Sequence, residues 1–251
     1  MNITRQLPLL ALLILSLGCP APLKAEVVRL TSLHWPPYAG HDLAAQGACA
    51  AVAKAAFAAM GHQLEIDFYP WSRSVKLAQQ QSSPYIGYFP EYYSDTVHFV
   101  FSEPMGMSPL GLVEQRQNPI SWSSVQDLRQ YRLGVVQGYV NIEELDRAIA
   151  DDLQAAEAVT SDEHNLKKVA AGRIDAAVID VYVMRYLLRQ AKFEPLTDKL
   201  QLNRTLLANK HLYVAFKNTP EGRRWQAIFN QGLQRIDVAE IMANHLPEAL
   251  D

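Results

Sequence analysis

A few side chains in this sequence stand where they could hold a charged small molecule. Asp180 closes the apolar run Ile174 to Ile179 and opens the helical run from Val181. A carboxylate there can pair with an ammonium group. It can equally cap the helix that follows, because Asp accepts the free N–H groups of a first turn. Gly138-Tyr139-Val140-Asn141 also joins a strand to a helix. Its backbone N–H groups can bind an anion, and an ordinary turn with Asn141 as N-cap fits the same residues. Trp71 and Arg73 open a helix after Pro70. Arg73 could clamp a carboxylate through paired hydrogen bonds, or stay a solvated arginine. Trp35 and Tyr38 flank Pro36-Pro37 in a stiff loop. Such rings offer apolar area and cation–π attraction to an amine, or simple packing. Tyr88, Glu91, Tyr92 and Tyr93 cluster just after a strand, as ligand contacts or as surface-loop aromatics. The seven histidines show no ligand-like spacing with each other or with Cys49. There is no Ser-His-Asp signature and no phosphate loop, so no metal and no cofactor is expected.

The elements that must position these residues alternate. Val27 to Leu33 reads as a strand, 43–60 as a helix closed by Gly61, and Gln63 to Tyr69 as a strand. Ser72 to Gln80 reads as a helix, with strands at Tyr85 to Phe89 and Leu110 to Val113. A strand–helix series of this kind implies a parallel sheet with helices on both faces. The pattern then restarts: a short helix from Ser124 to Leu128, strands at Arg132 to Val136 and Ala156 to Thr160, and helices at Ile142 to Ala150 and Asn165 to Ala171. A strand at Ile174 to Ile179, a helix at Val181 to Gln190, a late strand at His211 to Phe216 and a helix at Glu221 to Arg235 complete it. Two such α/β units with a late segment left over suggest two lobes, with a ligand between them.

Composition narrows the class. The chain has 251 residues, 49% hydrophobic and 20% charged, with a net charge of −3 and two cysteines. That excludes disorder, a disulfide scaffold and the basic footprint of a nucleic-acid binder. Residues 1–25 read as a secretory signal peptide. Arg5 is the only charge before Lys24, and Leu7 to Gly18 is apolar but too short to span a bilayer. Cleavage is expected after Ala25. Leu17-Gly18-Cys19 offers a second route, with Cys19 lipidated, although Ser16 departs from that pattern. Removing Arg5 and Lys24 leaves 21 basic against 26 acidic residues, or −5. Cys49 then has no partner and repeats with Val52, Ala56 and Met60 at helical spacing, so a buried thiol is expected.

Several segments carry a resemblance in order: Trp35-Pro36-Pro37-Tyr38, Phe101-Ser102-Glu103-Pro104-Met105, Val125 to Leu128 with Leu133 to Gly138, and Leu166 to Asp180 with Ala171-Gly172-Arg173-Ile174-Asp175-Ala176. Over about residues 27–236 the chain resembles the family 3 periplasmic solute-binding proteins of amino-acid-type ABC importers. The resemblance implies a type II, two-lobed α/β fold, each lobe a mostly parallel sheet flanked by helices, joined by two crossover segments. Lobe 1 would be 26–112 plus 210–251 and lobe 2 113–209. It implies a monomer that closes on a small amino-acid-like ligand and delivers it to a membrane permease, or presents it to a sensor receptor. It implies that Asp180 takes the ligand amino group and that the Tyr88 to Tyr93 region touches ligand. Some relatives are dehydratases; the few clustered arginines here speak against that chemistry. One departure stands out. The family's carboxylate-gripping arginine falls near Asp95, and no arginine lies between Arg73 and Arg116. An acid cannot hold a carboxylate, so either Arg73 substitutes or the ligand is not an ordinary α-amino acid. The acidic balance leans toward a cationic or zwitterionic ligand.

Overall fold

Strand–helix alternation puts the functional loops at the C-terminal ends of two sets of parallel strands. The computed structural model describes residues 25–247; the expected signal peptide, Cys19 and the last four residues lie outside them. The chain runs through β1 (Val27–Ser32), α1 (Ala48–Ala59), β2 (Gln63–Phe68), α2 (Trp71–Gln79), β3 (Gly87–Glu91), β4 (Phe99–Phe101) and the long β5 (Gly106–Gln115). It continues through β6 (Leu133–Val136), α3 (Glu143–Ala150), β7 (Ala156–Val159), α4 (Asp162–Ala170), β8 (Ala176–Asp180), α5 (Val181–Leu188) and a short α6 (Glu194–Thr197). Last come β9 (Leu200–Leu202), the long β10 (Ala208–Lys217), α7 (Pro220–Leu233) and α8 (Val238–Ala243). The strand order is β2-β1-β3-β10-β5-β8-β6-β7.

The expected parallel pairings are present at both ends of this path. β1 pairs in parallel with β2 and β3, and β6 with β7 and β8. Each three-strand set thus presents its strand C-termini together, at the edge where ligands bind in open α/β sheets. The centre is antiparallel. β10 pairs with β5 over Ala208 to Leu212, then with β3 and β4 over Tyr213 to Lys217. β5 goes on to pair with β8 from Leu110. These two strands carry the chain from one set to the other.

Several elements differ from expectation. α1 begins at Ala48, because Ala45, Gln46 and Gly47 have φ of 52°, 67° and 101°, which no α-helix accommodates. α4 starts at Asp162, three residues before the sequence suggests. β4, α6, β9 and α8 are additions. Cys49 is fully buried on α1, as expected, beside Val52 and Ala56. The same helix packs Phe57 on Phe229 of α7 at 5.2 Å between ring centres. No helix among the described residues is long and apolar enough to cross a membrane.

The far end of β5 is fixed by a buried acid. Glu114 accepts hydrogen bonds from Ile120 N (3.0 Å), Gln201 Nε2 (2.8 Å) and Asn203 Nδ2 (2.7 Å), which tie β5 to β9 and to the segment leading into β10. Removing the acceptor leaves buried donors unpaired. Glu114→Ala is expected to destabilise the protein by at least about 1–3 kcal/mol, read as a lower denaturation midpoint at an unchanged denaturant slope.

Candidate functional site

The loop after β1 brings Trp35 and Tyr38 into the cleft. Trp35 and Ala39 exchange backbone hydrogen bonds of 2.7 and 3.1 Å, so the loop doubles back on itself. The two rings stack at 4.6 Å. Tyr38 is fully buried, and its hydroxyl lies 2.9 Å from Asp180 Oδ2 at the far side of the cleft. Asp180 Oδ2 also accepts from Ser108 of β5, whose own oxygen contacts the Tyr92 hydroxyl at 2.6 Å. Asp180 Oδ1 accepts from Tyr182 N (2.7 Å) and Val183 N (2.9 Å), capping α5. Each carboxylate oxygen therefore has two donors, the full capacity of the group. Burial pushes the Asp180 pKa up to about 6 despite these hydrogen bonds.

Other candidates assemble around a second contact. Trp71 Nε1 donates to Gly138 O across the cleft at 2.9 Å. Gly138 sits at φ +79°, a conformation glycine adopts without strain. Tyr139 meets Trp35 and Trp71 edge-on, with ring centres 6.3 and 6.1 Å apart. Two donors of the expected anion nest are already engaged. Tyr139 N donates to Val136 O, while Asn141 N and Nδ2 both donate to Asp146, so Asn141 is held by α3 rather than capping it. Lys210 of β10 donates to Asn141 O at 2.9 Å and lies 5.0 Å from the centre of the Tyr92 ring.

Glu91, at the end of β3, accepts from Tyr88 OH (3.1 Å) and Tyr92 N (2.8 Å). Burial pushes its pKa up to about 7, and the nearby Lys210 charge opposes the rise. Tyr88 supports Trp71 from behind, with ring centres 5.3 Å apart. Arg73 is exposed and stacks over Tyr69 at 4.8 Å. Asp95 is also exposed, beside Tyr93 OH.

These elements enclose a cavity of about 410 Å³, lined among others by His34, Trp35, Tyr69, Trp71, Tyr139, Asp162 and Glu163. Two smaller voids of about 30 and 10 Å³ share the Trp35 and Tyr139 rings as walls and reach Glu91 and Asp180. No lysine or arginine lines any of the three. Trp35, Trp71, Tyr139, Glu91, Asn141 and Asp180 are thus brought together, with Tyr38 holding Asp180 and Gly138 holding Trp71. Arg73 stays outside, and Tyr88 acts through Trp71 and Glu91.

Sequence reasoning missed Asp162. It opens α4, two residues separating it from the end of β7, at the C-terminal end of its strand as Asp180 and Glu91 are of theirs, and reading α4 from Asn165 hid it. Burial and the Asp180 charge push its pKa up to about 7. Trp35 Nε1 points toward its carboxylate, yet the indole N–H is buried and closes no hydrogen bond.

No family model matches the sequence, and no curated relative does. Solved structures do. A histidine kinase sensor domain with similarity to periplasmic binding proteins superposes with a TM-score of 0.73 at 19% identity, over 90% of this chain and 98% of that one. The chain adopts the type II periplasmic-binding-protein fold. An ancestral arginine-binding protein bound to arginine gives 0.70 at 17% identity, over 87% and 97%. An amino acid ABC transporter substrate-binding protein from Streptococcus pneumoniae, bound to L-arginine, gives 0.66 at 15% identity, over 88% and 94%. The two-lobed α/β architecture expected from the sequence is therefore present.

The three cleft acids titrate upward of the usual carboxylate range. Between about pH 4 and 7 the folded state keeps protons that the unfolded chain has released. Their contribution to stability is therefore greatest at the acid end and falls as pH rises through 6 and 7. The melting temperature is expected to drop between about pH 4 and 7, and Asp162→Asn should flatten that drop. Tyr38→Phe removes one donor from a buried carboxylate and should cost about 1–3 kcal/mol in chemical denaturation.

Proposed function

We propose that this protein is a periplasmic solute-binding protein, exported by a cleaved signal peptide, that captures a small amine-bearing, amino-acid-like solute for an ABC importer. The observation that carries this reading is the aromatic, acid-lined cavity of about 410 Å³, a size suited to a small molecule, at the edge where both sets of parallel strands end. Lobe 1 would comprise 26–112 plus the segment from 210, and lobe 2 113–209. The protein would work as a monomer, its lobes parting and closing about β5 and β10. Binding rather than catalysis fits the neighbours, which include arginine-binding proteins and a sensor domain. The sensor domain also favours a second reading, in which the protein presents its ligand to a membrane receptor.

A ligand that binds only the folded state raises stability by mass action, about 2.7 kcal/mol at a concentration one hundred times Kd. Purified protein should therefore gain thermal stability from one class in a panel of amino acids and amines at saturating concentration. A panel that shifts nothing overturns the reading. In-cell cross-linking separates its two forms: a permease partner supports transport, and a receptor kinase supports sensing.

A further inference from the structure

We propose that the cleft takes an organic cation that carries no carboxylate, and that Asp162 rather than Asp180 holds its positive charge. This rests on the binding reading above; it keeps the amine of that solute and drops the amino-acid carboxylate. The acids of the cleft differ in what they have left to offer. Asp180 spends both oxygens on Tyr38, Ser108 and two backbone N–H groups. Glu163 is paired with Lys192 at 2.6 Å. Glu91 accepts from Tyr88 and the Tyr92 backbone and lies near Lys210. Asp162 lines the 410 Å³ cavity and is 7% exposed; among the described residues its carboxylate faces only its own backbone N–H and the Trp35 indole N–H, which stops short of a full hydrogen bond, and no cation pairs with it. A buried carboxylate without an opposite charge is costly, and a cation entering the cavity supplies one.

The walls point the same way. Trp35, Trp71 and Tyr139 line that space, with Tyr139 edge-on to each of the two tryptophans. Aromatic faces attract alkylammonium and guanidinium groups once water is excluded. The Trp35 Nε1 proton, buried and unpartnered, can close onto the Asp162 carboxylate once a cation fixes it in its charged form. A ligand carboxylate finds no side chain of opposite charge in this lining. No lysine or arginine lines the cavity, Arg73 is exposed and stacks on the Tyr69 ring, and the backbone donors at 139 and 141 are taken.

Arginine and agmatine form a matched pair that isolates the carboxylate, since agmatine has the same guanidinium and chain without it. Calorimetry on the purified protein should show agmatine binding about tenfold or more tighter than arginine. Asp162→Asn should weaken agmatine binding by about 30-fold or more, the effect of removing one partner of a buried charge pair. The unliganded variant should still unfold cooperatively, with a melting temperature at least equal to the parent's at pH 8, which separates lost binding from lost folding. Arginine binding tighter than agmatine would overturn the inference while leaving the binding-protein reading intact. Agmatine binding that is indifferent to Asp162→Asn would remove Asp162 as the charge seat. No binding by either compound, or by any other amine or amino acid, would overturn both.

Discussion

Asp180 is a carboxylate at 2% exposure, and the arrangement of the cleft depends on how that charge is kept. Water cannot solvate it there, so protein donors must. They come from three separate segments: the loop after β1 through Tyr38, the middle of β5 through Ser108, and the first turn of α5 through two backbone N–H groups. No one of these segments can shift without leaving part of the charge bare. The clamp joins the first strand set to the second at the point where β5 passes between them. A residue that reads as a ligand contact is thus, in this molecule, also part of what the two sets share.

Once Asp180 is satisfied by the protein, the rest of the cleft follows a different electrostatic logic. Glu91 and Asp162 are both buried and both have elevated pKa values near 7. Burial is the larger cause, and for Asp162 the Asp180 charge adds to it. Such acids are unfavourable in an empty site and favourable in one that holds a positive group. The aromatic rings between them exclude water and so strengthen both tendencies. Edge-on contacts among Trp35, Trp71, Tyr88 and Tyr139 also brace the rings against rotation, which keeps the cavity formed.

The parts of the fold that follow from local patterning were legible. Runs such as Val27 to Leu33 and Ile174 to Ile179 declare strands by composition, and Gly138 and Gly172 mark breaks. The long strands were harder. β5 opens with Gly106-Met107-Ser108-Pro109, residues with little strand tendency. Pro109 is tolerated because β8 joins only at Leu110. Its pairing is imposed by β10, which is about one hundred positions away, and no window of sequence contains that fact. The aromatic and acidic character of the cleft was visible in Trp35, Trp71 and Glu91. That the oxygens of Asp180 are all taken by the protein's own donors was not. It depends on a tyrosine hydroxyl reaching across from the other strand set, and only tertiary structure brings Tyr38 to Asp180.

The ladder between β5 and β10 has a mechanical consequence. From Ala208↔Leu110 to Leu212↔Gly106 the two crossover strands are hydrogen-bonded to each other, so they form one ribbon rather than two independent tethers. Two free tethers would let the halves twist, slide and gape in any combination. A paired ribbon resists shear and stretch and yields to bending, which confines the motion to a single angular coordinate. The relative placement of the two strand sets then reduces to one number: how far the ribbon is bent.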